Sequence, residues 1–477
     1  MNPLKILNFF GVLLMLFSFS FLIPIFVGFV YEEASINIFI SLMIGIFLVG
    51  CCSWVFTRKD GSDLSLSDGF IITVLFWLVL SLFGALPFYF LGFSFVDSLF
   101  ESMSGITTTG ATVFSGLDEL DRSVLIYRQL LQWMGGMGLI VLAIAVMPLL
   151  GIGGGQLFKT QTPGAMSNQK LTPRITNTAR ALWLIYLGLT ILCLSSYKLA
   201  GMSFFDSFAH ALSTVSIGGF STHDASIGFF KSINIEIVCM IFMVLSAINF
   251  SLHYGLIYRK QFLKYLYDPE LRFFLSILFL ITTVVCISLI TLTDIASPLR
   301  YGIFQSVSIV TTTGFLTEEY SSWPTMVSFL LLLGAFMGAC SGSVGGGIKS
   351  WRVLIIIKHG YMQIFKLIHP NSTNSIKIGR NPLQQNVTEA LWAFFSIYVI
   401  SFLVLLIAML MTGLDFLTAF SAVGACLNNL GPGLGEVATN YSSLGVVAKS
   451  ILSFAMILGR LEIFTLLVVL TPAFWQR

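Results

Sequence analysis

The stretch that decides the fold is Phe95–Thr112, with the sequence FVDSLFESMSGITTTGAT. It lies between two long apolar stretches, but it is too apolar for an exposed loop and too short to cross a bilayer, which takes about 20 residues in a helix. Non-helical backbone is tolerated at membrane depth only where protein buries it or a watery cavity lies beside it. We therefore interpret this stretch as a re-entrant half-helix followed by an extended strand.

The composition of the whole chain requires a membrane. Of 477 residues, 56% are hydrophobic and 10% are charged, and the mean hydropathy is +0.91. Soluble domains carry about 25% charged residues, and a soluble fold of this size could not bury so much apolar surface. The first apolar stretch, 4–30, is too long for a signal-peptide core, so we expect it to be retained. The seven cysteines have no metal-ligand spacing, and we expect packed thiols.

Hydropathy predicts ten membrane-spanning helices. The eighth is too long to be one plain helix, and its centre is rich in glycine. The predicted spans are 4–30, 36–57, 70–92, 124–150, 180–200, 233–258, 272–293, 324–358, 388–412 and 444–474.

The distribution of lysine and arginine predicts the orientation. With both termini in the cytoplasm, the inside loops are basic and the outside segments acidic, as the positive-inside rule requires. An acidic outer face would also concentrate cations, although the same residues are equally well explained as solvated loop charges. The basic inside residues are Arg58, Lys59, Lys159, Lys170, Arg174, Arg180, Arg259, Lys260, Lys264, Arg272, Arg352, Lys358, Lys366, Lys377 and Arg380. The acidic outside residues are Glu32, Glu33, Asp118, Glu119, Asp121, Asp224, Glu318, Glu319 and Glu436.

The motif in the opening stretch occurs four times, each time between an outgoing and a returning span. One TTTG is a weak signal, because threonine and glycine are common in membrane helices, but four aligned copies are a strong one. The copies are Thr107–Gly110 (TTTG), Ser216–Gly219 (SIGG), Thr311–Gly314 (TTTG) and Asn428–Gly431 (NNLG).

Four such units can close around one axis, each contributing a strand of backbone carbonyls. Carbonyl oxygens can replace the hydration shell of K⁺, and glycine reaches the φ values that turn its carbonyl toward the axis. The predicted fold is an all-α polytopic membrane protein with four covalently linked helix–re-entrant pore loop–helix repeats around one pore. Two N-terminal transmembrane helices occupy 1–69, and the repeats occupy 70–150, 151–260 with a preceding cytoplasmic loop, 261–380 with a gating loop, and 381–477.

These motifs resemble the membrane subunit of the bacterial Trk/Ktr potassium-uptake family over nearly the whole chain. The two extra N-terminal spans, the basic loop at 151–180 and the LNNLGPG of the fourth copy resemble the TrkH branch more than the Ktr branch. The resemblance implies a homodimer in the bacterial inner membrane with one pore per subunit. It also implies a cytoplasmic regulatory partner of the TrkA type, which binds NAD(H) or ATP/ADP; no nucleotide or other cofactor on this chain, and no nucleic acid, is expected.

The resemblance also implies which residues form the K⁺ selectivity filter. Because the second and fourth copies depart from TTTG, we do not expect a symmetric filter, and K⁺/Na⁺ discrimination should be weaker than in a four-fold TVGYG channel. The implied K⁺ ligands are Thr108, Thr109, Gly110, Ile217, Gly218, Gly219, Thr312, Thr313, Gly314, Asn429, Leu430 and Gly431.

Glycines are clustered inside the eighth span, in Gly334–Arg352 (GAFMGACSGSVGGGIKSWR). Each glycine costs a helix about 1 kcal/mol relative to alanine, so this segment should break it. The resemblance implies an intramembrane loop that gates the pore below the filter, and a close helix-packing seam is the structural alternative. The candidate gate residues of this loop are Gly342, Gly345, Gly346 and Gly347.

Arg460 is a charge in the middle of the last span, where burial is costly and usually functional. The resemblance places it near the gating loop, facing the ion path, where it would be an electrostatic barrier to cations and part of the gate. The alternative is an ion pair to another helix. Glu462 is two residues away and does not share its helix face. Lys349 is expected to snorkel to the cytoplasmic surface.

Potassium uptake by gated conduction is the function that the sequence favours, and symport of K⁺ with H⁺ or Na⁺ is the alternative. Glu462 is the one mid-span acid that the sequence offers for proton coupling. An enzyme is disfavoured, because GSVGGGIKS at 342–350 lacks the glycine that a phosphate loop needs before lysine and Ser341 has no evident histidine partner. A scaffold would need no backbone at membrane depth.

Overall fold

The structure, a computed structural model, describes residues 2–57, 65–146, 175–370, 377–378, 381–383 and 385–476. Within these ranges the chain is helical apart from short connections and one antiparallel pair of two-residue strands, Lys377–Ile378 and Asn381–Pro382. Six helices of the described part are long and apolar enough to cross a membrane, and two bent helix pairs raise that number to eight. The predicted all-helical, multi-pass architecture is confirmed, with six to eight candidate spans among the described residues.

Around each copy of the glycine motif the elements follow the same order: a long helix, a short helix, the motif, a 3₁₀ turn and a returning helix. The long helices are Leu66–Phe90, Ile175–Leu199, Pro269–Leu292 and Gln385–Leu410. The four short helices are Phe95–Ile106, Phe204–Val215, Pro298–Val310 and Phe416–Leu427. The 3₁₀ turns are Leu117–Glu119, Ser226–Phe230, Tyr320–Ser322 and Gly435–Val437. The returning helices are Arg122–Val146, Ile233–Ala247, Thr325–Met337 and Val446–Arg460, and the last three continue after a break as Phe250–Arg259, Ser350–Ile368 and Phe464–Leu470.

The N-terminal pair of helices precedes these elements. The first runs through Pro3–Ser18, the 3₁₀ turn Phe19–Phe21 and Leu22–Tyr31, and the second is Ile36–Thr57. Two shorter helices, Phe262–Leu266 and Pro472–Trp475, complete the described part.

Small residues hold the two N-terminal helices together, and one carboxylate attaches them to the first returning helix. A methyl carbon on Gly11 would lie 2.8 Å from the Gly50 carbonyl oxygen, so these two helices touch through their backbones. The Glu33 carboxylate accepts the backbone N–H groups of Arg122 at 2.7 Å and Ser123 at 2.9 Å. A negative charge at a helix N-terminus is favourable, so Glu33 caps the first returning helix.

Two predicted spans, 233–258 and 444–474, are not continuous straight helices. The chain bends by 92° between Ala247 and Phe250 and by 113° between Arg460 and Phe464. At the first break the Asn249 side chain accepts the N–H of Ser251 at 2.8 Å and so begins a new helix. At the second break, Glu462 and Ile463 have left-handed φ values of 51° and 61°.

The glycine-rich break predicted inside span 324–358 is present, because the helix ends at Met337 and resumes at Ser350. The end of span 124–150, residues 147–150, lies outside the described residues. So do Arg58, Lys59, Arg380 and the basic loop from 151 to 174. The orientation and the domain boundaries therefore stay predictions.

Candidate functional site

The four motif glycines lie in a closed ring of backbone. Each has a φ between 81° and 94°, which favours glycine. In each case the place of a side chain is taken by the carbonyl oxygen of the residue before the next glycine. A methyl carbon would lie 2.1 Å from Gly218 O on Gly110, 2.1 Å from Thr313 O on Gly219, 2.2 Å from Leu430 O on Gly314, and 2.7 Å from Thr109 O on Gly431. The fourth copy thus returns to the first, and four carbonyl oxygens are brought together around one axis.

The backbone of all four motifs has the same unusual conformation. The second residue of each also has a positive φ: Thr108 at 56°, Ile217 at 54°, Thr312 at 64° and Asn429 at 52°. Three of these are β-branched residues, for which a positive φ is a true outlier that costs about 1–3 kcal/mol. Because the positive φ values alternate with ordinary ones, successive carbonyls turn to the same side of the chain rather than to opposite sides as in a strand.

The short helices position these motifs. In each copy the N–H of the third motif residue donates to a carbonyl of the last helical turn, for example from Thr109 to Ser104 at 2.8 Å and from Leu430 to Ala425 at 2.9 Å. The helices begin at side-chain caps in three copies, at Ser94, Ser203 and Asp415. They end directly at the ring, so four helix C-termini with their partial negative charge meet there.

Three side chains hold the ring in place, and only Asn429 among them belongs to the filter residues implied by the sequence. Gln132 donates to the Gly218 carbonyl at 2.6 Å and accepts the N–H of Phe220 at 3.1 Å. Asn429 donates to the hydroxyl of Thr109 at 3.0 Å and so joins the fourth copy to the first. Tyr441 donates to the Gly431 carbonyl at 2.6 Å. No repeat signal marks Gln132 and Tyr441, because they lie outside the repeated motifs.

One side of the ring opens into a cavity of about 300 Å³. Its walls include all four motif glycines, His223 and Asp224. The Asp224 carboxylate also accepts the N–H of Leu117 at 3.0 Å, which fixes one carboxylate at the cavity wall. The cavity therefore combines the four motif glycines with one fixed carboxylate.

The opposite side of the ring is covered by the glycine-rich loop, Gly338–Lys349. The N–H of Gly346 donates to the Thr312 hydroxyl at 2.7 Å, and the N–H of Gly347 donates to the Asn428 carbonyl at 3.1 Å. A methyl carbon on Gly346 would lie 1.9 Å from that same carbonyl oxygen. The loop therefore lies directly against the third and fourth motifs.

The candidate gate glycines divide into two groups. Gly345, Gly346 and Gly347 lie in the part of the loop that touches the motifs. Gly342 lies elsewhere: its carbonyl accepts the N–H of Phe250 at 3.1 Å, at the break in the second returning helix. Near it, the N–H of Ser341 donates to the Glu270 carboxylate at 2.5 Å, so this part of the loop is tied to two other helices.

Arg460 lies beside the loop. Its guanidinium donates to the carbonyl oxygens of Val344 and Gly135, both at 2.9 Å, and lies 5.2 Å from the ring centre of Trp77. The acid closest to it in sequence, Glu462, is ion-paired with Arg352 instead. The hydrogen bonds of Arg460 thus go to backbone carbonyls of two different elements.

Two further charges hold the loop. The Lys349 amine donates to the Gly345 carbonyl, so its side chain folds back onto the loop and the predicted snorkelling is wrong. Arg352 is 4% exposed; it donates to the Ile348 carbonyl at 3.2 Å and pairs with Glu462.

Comparisons with known proteins agree with this architecture. The family model TrkH, described as cation transport protein, matches residues 34–477. The chain is 46% identical to the Trk system potassium uptake protein TrkH of Halomonas elongata, with 100% of both chains covered. It is 44% identical to the protein of that name from Escherichia coli strain K12, with 98% of each covered. It is similar to the crystal structure of the potassium transporter TrkH from Vibrio parahaemolyticus, with a TM-score of 0.90, 44% identity and 100% coverage of both chains. The chain therefore belongs to the TrkH family of cation transport proteins.

Proposed function

We propose that this protein takes up potassium across the bacterial inner membrane, by gated conduction through the ring of motif carbonyls. The closed ring of four carbonyl oxygens, each seated against the glycine of the neighbouring copy, is the observation that carries the proposal. Such oxygens replace the water around K⁺ at little cost. The relatives named as potassium uptake proteins favour K⁺ as the transported ion.

The filter we propose consists of the three last residues of each motif, and it is asymmetric. Ile217 brings no hydroxyl to the second copy, and the Gly218 carbonyl already accepts a hydrogen bond from Gln132. In the fourth copy the Asn429 amide is used to hold Thr109. Four unequal strands favour moderate rather than strict discrimination between K⁺ and Na⁺.

The gate we propose is the glycine-rich loop together with Arg460. The loop lies against two of the four motifs, and small residues let its backbone come this close. Arg460 adds a positive charge beside the loop, which would raise the energy of a cation on that side of the ring. Opening then requires the loop to leave the motifs and the charge to move or be screened.

Conduction is favoured over symport with H⁺ or Na⁺. The acid that the sequence offered for proton coupling, Glu462, is ion-paired with Arg352. Its carboxylate is therefore held by Arg352 at the start of another helix rather than presented to the ring of carbonyls.

The remaining parts of the proposal concern assembly and orientation. Both termini are placed in the cytoplasm, because that orientation puts the basic loops inside. We further propose a homodimer with one pore per subunit and a cytoplasmic TrkA-type regulatory subunit that carries the nucleotide. The name Trk system, shared by the relatives, supports an assembly with other components.

The test is uptake of radioactive Rb⁺ into liposomes that contain the purified protein, with K⁺ or Na⁺ as competitor. Wild-type protein should take up Rb⁺, and K⁺ should compete better than Na⁺. Gly314→Ser should lower uptake by at least about tenfold, because the new side chain would meet the Leu430 carbonyl at 2.2 Å.

Gly413→Ser is the matched control. Gly413 has nearly the same φ, 89° against 84° for Gly314, but a methyl carbon there would meet nothing within 4 Å. Absence of uptake by the wild type, or identical uptake by the Gly314 and Gly413 variants, would overturn the proposed pore.

A further inference from the structure

Each short helix carries a polar side chain that reaches the chain segment leaving the motif. In the first three copies this residue stands six positions before the first motif residue, and it is completely buried. In the fourth copy that position is Ala422, and the preceding Ser421 accepts the N–H of Leu434 at 2.8 Å. The other contacts are Glu101 to Val113 N at 2.9 Å, His210 Nε2 to Ser221 Oγ at 2.9 Å, and Gln305 Oε1 to Thr317 N at 3.3 Å.

The contact in the first copy is made by a charged side chain, Glu101. Glu101 is 0% exposed and forms an ion pair at 2.7 Å with Arg128 of the first returning helix, which is 1% exposed. Its carboxylate also accepts the Thr112 hydroxyl at 2.9 Å. A fully buried ion pair costs much desolvation energy, and a packed apolar pair would often be as stable. Stability alone therefore does not account for these charges.

Arg128 extends the contact from the first copy to the second. Its guanidinium donates to the Thr112 hydroxyl at 3.0 Å and to the Ser221 carbonyl at 3.1 Å. It also lies 4.3 Å from the ring centre of Phe220, the residue that directly follows Gly219. One rigid, planar group therefore fixes the spacing of two neighbouring strands of the ring.

The fourth copy is joined to the same network through Thr112. The Thr112 carbonyl accepts the N–H of Tyr441 at 2.8 Å, and the Tyr441 hydroxyl donates to the Gly431 carbonyl at 2.6 Å. A change at Glu101 or Arg128 would thus affect the backbone positions of Gly110, Gly219 and Gly431.

We propose that Glu101 and Arg128 are positioning residues that set the preference of this ring for K⁺ over Na⁺. They do not touch the ion; they hold three of the four strands at the spacing that suits the larger cation. This inference rests on the proposed function and adds to it the residues that determine selectivity.

The experiment measures Rb⁺ uptake into liposomes and the ratio of the K⁺ and Na⁺ concentrations that halve it. Glu101→Gln keeps the shape but removes the charge, and Thr112→Val keeps the ion pair but removes the hydroxyl that links it to the strand. Each variant should keep Rb⁺ uptake and lose about fivefold in K⁺ preference, the order expected for one buried hydrogen bond.

Glu236→Gln is the matched control. Glu236 is also a buried acid, paired with Arg300 of the third short helix at 2.8 and 2.6 Å, and both hydrogen bonds run between these two residues alone. The Glu236→Gln variant should have the same K⁺ preference as the wild type. If Glu101→Gln does not fold, Thr112→Val decides the question, because it buries no unpaired charge.

The outcomes separate this inference from the proposed function. A wild type without uptake defeats the proposed function itself. Wild-type K⁺ preference in a transporting Thr112→Val variant, or an equal loss in Glu101→Gln and Glu236→Gln, overturns the positioning role and leaves the pore intact.

Discussion

The guanidinium of Arg460 and the carbonyl oxygen of Val344 lie 2.9 Å apart, which joins the end of the last returning helix to the centre of the glycine-rich loop. The two residues are far apart in the chain and belong to different repeats. Any movement of the loop away from the ring must break this hydrogen bond or carry the arginine with it.

Replacement of Arg460 by alanine should raise basal Rb⁺ flux by about tenfold, which corresponds to a barrier lower by about 1.4 kcal/mol. The reason is that the variant loses both a positive charge near the ion path and an anchor of the loop. Arg460→Lys retains the charge and should stay close to wild type in the same liposome assay. Equal leaks in the two variants would contradict a barrier that depends on charge.

Replacement of Gly346 by alanine should also increase basal flux. The added methyl group would lie 1.9 Å from the Asn428 carbonyl oxygen, so the loop must move away from the ring at a cost of about 1–3 kcal/mol. Gly360→Ala serves as control, since nothing lies within 4 Å of that site. Unchanged or reduced flux in the Gly346 variant would speak against a gate at this contact.

Glu462→Gln should lower the free energy of unfolding by about 2 kcal/mol, because the nearly buried Arg352 loses its acid. The double variant Arg352→Met/Glu462→Met should regain most of this loss, since neither charge is then left alone. Thermal unfolding in detergent measures both effects. A double variant no more stable than the single one would show that the pair is not the cause.

The stability of the loops around the cavity should depend on pH through His223, which lies between Asp118 and Asp206. Burial lowers the pKa of His223, but the hydrogen bonds and charges of the two acids outweigh it, so the pKa is raised above its usual value. For Asp206, burial raises the pKa, but hydrogen bonds from His223 and Ser203 hold it well below the usual range.

The two shifts act on opposite sides of the pH scale. The stabilisation from His223 is complete below its unfolded pKa of about 6.5 and is lost as the pH rises through the higher folded value. That from Asp206 is complete above about pH 3.9 and is lost as the pH falls. The melting temperature of the wild type should therefore exceed that of His223→Phe at pH 6, and the difference should shrink toward pH 9. A constant difference would contradict this assignment.

The sequence predicts well what depends on local pattern. Long apolar stretches predict where the long helices lie, although the described residues contain six to eight candidate spans rather than the ten predicted. Four aligned glycines predict the motifs that the structure brings into one ring. The break at Gly338–Lys349 was predictable for the same reason, because clustered glycine is a local signal.

What could not be predicted depends on contacts between distant segments. The bends after Ala247 and Arg460 contain neither glycine nor proline, and they are held by the Asn249 cap and the Arg352–Glu462 pair. Glu101 and Arg128 did carry a signal, since charges inside apolar segments are rare, but their pairing is visible only in three dimensions. Gly342 looked like its glycine neighbours in sequence and yet lies at another helix break.

The contact between Asn429 and Thr109 joins residues 320 positions apart. A ribosome delivers the N-terminal part of the chain first, so the first three motifs are synthesised before the fourth exists. The ring can therefore close only after the fourth motif has been synthesised. A chain released from the ribosome before residue 428 lacks the fourth motif and cannot complete the ring. Synthesis must therefore proceed into the last part of the sequence before the ring can form.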